Sequence, residues 1–239
     1  MSTTENAKYG RLTAVLLAAW LASSITASKL MAFHAGSKYA VAAPAPLGVA
    51  VLLPIALFAL WFAASRGFRE FALSLNPFAL TLVQTWRILG LSFVVLAGFR
   101  ILPAVFALPA GWGDFAIGVT APFVALYFTR PDRKNSFVAW QILGMIDLVD
   151  AITLGVLSSP TPAGILRPAV STEAMTVLPL SLIPTFAVPL LFIMHFISIA
   201  QAVRWQTQTT AISCGDGRPR PSGGAQLPGS LGTPATLSS

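Results

Sequence analysis

Asp147 and Asp150 stand three residues apart in the otherwise apolar stretch from Phe137 to Leu157. Residues at that spacing share one broad side of a helix. Two carboxylates so close in a low-dielectric surrounding do not both ionise easily, so a proton shared between them is the expected state. The chemistry open to such a pair is reversible binding of a proton or a cation. The plainer reading is that both carboxyls hydrogen-bond to neighbouring helices and hold a bundle together. Gly144, Ala151 and Gly155 lie near the direction of Asp147. Its face is therefore small enough to approach another helix or to line a cavity.

Other ionisable groups interrupt apolar stretches and fall into two further layers when depth is counted at 1.5 Å per residue. One layer holds Asp114, Arg100 and Lys29. Asp114 follows Pro109-Ala-Gly-Trp-Gly, and the expectation is that it opens a span, capping free backbone N–H groups. Pairing with Arg100 or Lys29 is the alternative. The other layer holds Gln84 and Arg87 with His195 and Ser198. His195 reads as a proton acceptor or ligand, or as a neutral hydrogen-bond partner. Pro179, Pro184 and Pro189 free the carbonyls of residues four earlier, Leu180 and Thr185 among them. Nearby hydroxyls, Ser181 or Thr185 itself, are the expected donors.

Recognisable reaction centres are missing. There is no HExxH, Walker loop, zinc spacing or Ser–His or Cys–His pairing, so the chain does not read as an enzyme. Cys214 is the single cysteine. A metal site of Asp147, Asp150 and His195 is set aside because the counted depths separate them by ~10 Å. The other histidine, His34, belongs at the opposite face, and no cofactor is expected.

These residues sit in a chain that is 55% hydrophobic and only 10% charged, with mean hydropathy +0.75. Soluble domains carry roughly a quarter charged residues. Six long apolar stretches account for the deficit: about Leu12 to Phe33, Leu47 to Ala64, Leu82 to Leu102, Asp114 to Thr129, Phe137 to Leu157 and Val177 to Val203. Each reaches or approaches the ~20 residues a helix needs to cross the hydrocarbon layer. The fourth is shortest and could include 107–113 as a partly re-entrant lead-in. The expected fold is an all-α bundle of about six transmembrane helices over residues 12–204. A short N-terminal segment (1–11) precedes it, and a Gly-, Pro-, Ser- and Thr-rich disordered tail (205–239) follows.

Lys8, Arg11, Arg66, Arg69, Arg130, Arg133, Lys134, Arg204, Arg218 and Arg220 flank one side of the stretches, while the opposite loops hold Lys38 and Arg167. That bias places both termini in the cytoplasm. The net charge of +7 is spread over span ends, so the partner it implies is the bilayer and not a nucleic acid. The first stretch is too long for a cleaved signal peptide and reads as an uncleaved span. Phe68, Phe71, Ala72 and Leu75 suit a short interfacial helix, and Asn76-Pro77 reads as the cap and first position of the third span.

The runs QTWRILG (84–90), LPAGWGD (108–114), GMIDLVDA (144–151) and LPLSLIPTFAVP (178–189) resemble an uncharacterised family of bacterial multi-pass membrane proteins. The likeness covers about Gly48 to Gln201. It implies a bacterial inner-membrane protein and carries no activity. The functional expectation is a small-solute or proton-coupled transporter. A binding, sensor or structural subunit, as a homo-oligomer or with a membrane-protein partner, is the alternative.

Overall fold

A computed structural model describes residues 3–34 and 45–215, with side chains over 4–34 and 46–205. All regular structure among these residues is helical: α1 (Thr3–Lys29), α2 (Ala45–Ala64), α3 (Arg66–Ser74), α4 (Pro77–Val83), α5 (Leu91–Gly98), α6 (Ala104–Phe128), α7 (Lys134–Leu157) and α8 (Val188–Gly215). Six of the resulting rods are long and apolar enough to cross a membrane. Lys38, Arg218 and Arg220 lie outside the described residues. So does the expected tail beyond Gly215, to which α8 extends.

Local sequence explains the joints. Ser65 caps α3, its hydroxyl accepting from the Phe68 N–H at 3.2 Å. This short helix buries Phe68 and Ala72 and exposes Arg66 and Glu70. Phe68 stacks on Trp61, ring centroids 3.7 Å apart, and Tyr9 packs against both. Asn76 then caps α4 by accepting from Phe78 N–H at 2.9 Å, with Pro77 in the first turn. The third span therefore starts at Pro77 and ends at Gly98. It is displaced by several residues from the expected Leu82 to Leu102, because the cap and not the onset of strong hydropathy sets the start.

The centre of that span is not an α-helix. Gln84–Gly90 winds as a 3₁₀ helix, whose three residues per turn stack i and i+3. Thr81, Gln84, Arg87 and Gly90 are buried as a result, and the residues between them are not. This stripe packs against α6, where a Cβ at Gly118 would collide with the Ile88 backbone nitrogen.

The fourth span differs most from expectation. α6 runs unbroken from Ala104 with Pro109 and Pro122 inside it. Residues 107–113 are helical, and Asp114 sits near the middle of a 25-residue helix and not at its start. One hydrogen bond lost at Pro109 costs less than ending the helix and stranding a full turn of backbone groups in an apolar surrounding.

The last span also shifts. A 3₁₀ turn (Thr172–Thr176) and a π-turn (Ile183–Ala187) precede α8, so the span covers Ile183–Trp205 and not Val177 to Val203. Here α1 docks. The Thr185 carbonyl, freed by Pro189, accepts from the Trp20 indole N–H at 3.0 Å and from the Ser24 hydroxyl at 3.5 Å. The Ser181 hydroxyl binds Ser28 at 2.8 Å instead of a freed carbonyl. The donors are thus on another helix, a tertiary fact that local spacing does not carry. Leu180 O is taken by Ile183 N–H at 3.0 Å.

Outside, Leu52, Leu60, Trp86, Leu89, Phe99 and Phe123 are each more than half exposed. The inside, by contrast, holds fully buried polar groups: Thr81, Gln84, Gln141, Ser181, Thr185, His195 and Ser198. Apolar surface outward and polar groups inward inverts the pattern of a water-soluble domain.

Candidate functional site

Arg87, on the 3₁₀ turn, is the hub of the interior, its side chain 1% exposed. Its Nε donates to Asp114 Oδ1 on α6 at 2.6 Å. Its Nη2 donates to Asp147 Oδ2 on α7. Its Nη1 donates to the Gly144 carbonyl at 3.1 Å and to His195 Nε2 on α8 at 3.2 Å. One guanidinium thereby ties together four of the six spans. Arg87, Asp114, Asp147 and His195 all lie close to the midpoints of their helices.

A guanidinium can only donate, so His195 Nε2 must accept. The imidazole is then neutral and carries its proton on Nδ1, which donates to Gln141 Oε1 at 2.5 Å. The Gln141 amide donates to Thr81 Oγ1 at 3.4 Å, and Thr81 donates to the Pro77 carbonyl at 2.8 Å. Every member of this chain is oriented by the one before it. It runs from the centre of the bundle towards the end that bears α3.

Glycines make the room. A Cβ at Gly90 would fall on Asp114, one at Gly113 on Asp147, and one at Gly144 on the His195 ring. Each charged or ring side chain is seated against the bare backbone of a different span. Close approach of backbones, and not turn geometry, is what these positions require.

Charge does not balance. One arginine faces two carboxylates, and the imidazole beside it is neutral, so the centre holds one negative charge in excess unless a proton or cation joins it. An uncompensated charge in such a place is strongly disfavoured. Asp114 and Asp147 each keep 14% side-chain exposure, so both can be reached.

A cavity of about 260 Å³ leads to Asp114 from the end of the bundle opposite α3. Its walls are apolar, with Val51, Phe93, Phe106, Leu148, Ala151 and Pro184 among them. At its outer end Glu173 lies 3.3 Å from His34 Nε2.

The structure thus brings together Asp114, Asp147, Arg87 and His195, and leaves out Asp150 and Arg100. Asp150 is exposed on the outer surface of α7. The acid that shares a partner with Asp147 is Asp114 of another helix. Arg100 is exposed in the turn after α5, with φ of 55°, and Lys29 is exposed at the end of α1. Neither reaches Asp114, which lies several turns further in. The counted depths also separated Asp147 from His195, yet Arg87 touches both. The third span starts at Pro77 and not at Leu82, which sets Arg87 deeper in the bundle, within reach of both. Gln141, Thr81, Gly90 and Gly113 were not singled out. The three-residue repeats Thr81–Gln84–Arg87–Gly90 and Gln141–Gly144–Asp147 are the signal for all of them but Gly113. Among the described residues, no group of three or more His, Cys, Asp and Glu side chains is placed to hold a metal ion.

Fold and site together define an all-helical bundle with six apolar spans around a buried ion centre. The chain belongs to the family of a domain of unknown function, DUF8737, which matches residues 42–203. Every residue of the centre lies within the match, and α1 lies outside it. No curated protein and no solved structure matches the chain.

Proposed function

We propose that this chain is a multi-pass protein of a bacterial inner membrane, with both termini cytoplasmic, that couples movement of a small solute to a proton. The working site is the Arg87–Asp114–Asp147–His195 centre. The observation that carries this reading is one buried guanidinium at mid-bundle shared by carboxylates from two different helices, one of which lines a cavity. A site built only to hold helices together gains nothing from a second carboxylate that its arginine cannot neutralise. A site that must take up and release a proton needs one. The basic residues at the α3 end support the orientation, which opens the cavity to the periplasm. The reaction is binding and release without covalent chemistry.

The test is proton flux in proteoliposomes under an imposed pH gradient, comparing the wild type with Asp147→Asn and Asp150→Asn. Flux that survives Asp150→Asn and disappears in a folded Asp147→Asn protein supports the reading. Equal flux in all three proteins rejects it.

One observation favours a second reading, a binding or structural subunit. Asp150 is exposed among Ile146 and Val149 on a surface that would otherwise meet lipid. An acid there calls for a partner helix with a polar or basic group. Under that reading a membrane partner or second copy co-purifies with the wild type and is lost with Asp150→Leu.

A further inference from the structure

We infer that the cavity above Asp114 binds an organic monocation with an apolar body, its positive charge against the Asp114 carboxylate. This rests on the proposed working site and names the class of solute. Three features lead to it. The walls are almost wholly apolar, which selects a hydrophobic body. Among the described residues the charged side chains that line it are Asp114 and Glu173, so the charge they offer a ligand is negative. Glu173 meets the His34 ring at the outer end of the cavity, while Asp114 lies deepest in it and shares its one arginine with Asp147, which makes Asp114 the carboxylate with demand for a cation.

At Asp114, Oδ1 takes the Arg87 Nε–H. The guanidinium's other charge-assisted bond goes to Asp147. A ligand ammonium beside Asp114 therefore supplies the one positive charge that Arg87 cannot. A proton on either carboxylate supplies the same charge. Cation and proton then compete for one place, and binding of one releases the other. The groups facing Asp114 in this exchange are Arg87 from the 3₁₀ turn, Asp147 from α7 and, through Arg87, neutral His195 from α8. Asp150 stands further out on α7, and His34 and Glu173 stand at the mouth. Exchange of this kind is the minimum needed for export of the cation driven by proton entry.

The experiment uses the full-length protein in a neutral detergent and benzyltrimethylammonium as the probe, with neopentylbenzene as its uncharged carbon isostere. Calorimetry in weak buffer should show saturable binding of the cation with release of about one proton. The isostere should bind about thirtyfold or more weakly, the factor expected when a buried charge partner is lost. Asp114→Asn should lose the cation to the same degree. If that variant does not fold, Val51→Phe fills the cavity wall from α2, which carries no member of the charged centre, and should weaken cation and isostere together. Equal binding of the two probes, or cation binding unchanged by both variants, overturns the inference. Proton-coupled flux without cation binding removes this inference alone. Proton-linked cation binding without flux leaves it standing and removes transport.

Discussion

Replacing Arg87 by methionine isolates the charge argument, because the apolar chain length is kept and the guanidinium is lost. Four bonds vanish together, to Asp114, Asp147, the Gly144 carbonyl and His195. Removing one partner of a buried ion pair costs about 3–5 kcal/mol. Each orphaned neutral acceptor adds ~1–3 kcal/mol before relaxation. Uptake of protons by the stranded carboxylates and local movement return part of this, so a net loss of about 4 kcal/mol is expected. For a chain of this size 1 kcal/mol is roughly 2–4 °C in Tm, which predicts a fall of about 8–16 °C. Thermal unfolding followed by tryptophan emission in detergent reads it directly. A triple variant, Arg87→Met with Asp114→Asn and Asp147→Asn, removes the stranded charges and should recover most of the loss. A single variant within about 2 °C of wild type, or a triple variant no better than the single, would refute the reasoning.

Other expectations follow from the same geometry. Asp150→Asn should change stability by less than ~0.5 kcal/mol in the isolated chain, since Asp150 is exposed; a loss as large as that of Asp147→Asn would contradict the assignment. Gly113→Ala and Gly144→Ala should each cost about 1–3 kcal/mol by displacing Asp147 or His195, measured by the same melts. Trp20→Phe keeps the aromatic packing on Phe186 but deletes the donor to Thr185 O. It should cost ~1 kcal/mol and raise protease access to α1. Gln84 is buried with neither amide atom partnered in the structure. Gln84→Met should therefore be neutral or stabilising by melting, and a clear destabilisation would mean that the amide serves a bound water or solute.

Much of the architecture was legible because apolar length reports directly on the number of long helices. Asn76 is a local signal, and the cap it announces is present. Where spans begin was less legible. Pro109 suggested a break, yet α6 continues through it, since the neighbours decide whether a proline ends a helix. That one boundary moved Asp114 from a helix end to the centre of the bundle. The 3₁₀ winding of 84–90 is a tertiary effect, and without it the stripe Gln84–Arg87–Gly90 does not line up. The charged residues themselves were recognisable one by one, since each is costly inside an apolar stretch. Their partners were not. Asp147 and Asp150 are neighbours in sequence, but helix rotation turns only Asp147 inward, and no spacing rule ties Asp114 to Arg87.

The central claim is that the Arg87 centre carries one negative charge too many and so holds an exchangeable proton. Infrared spectroscopy of the purified, ligand-free protein at neutral pH tests it through the C=O absorption of a protonated carboxyl. The account predicts such a band in wild type, its loss or displacement in both Asp114→Asn and Asp147→Asn, and its survival in Asp150→Asn. A wild-type spectrum without the band, or a band that disappears only with Asp150→Asn, would contradict it.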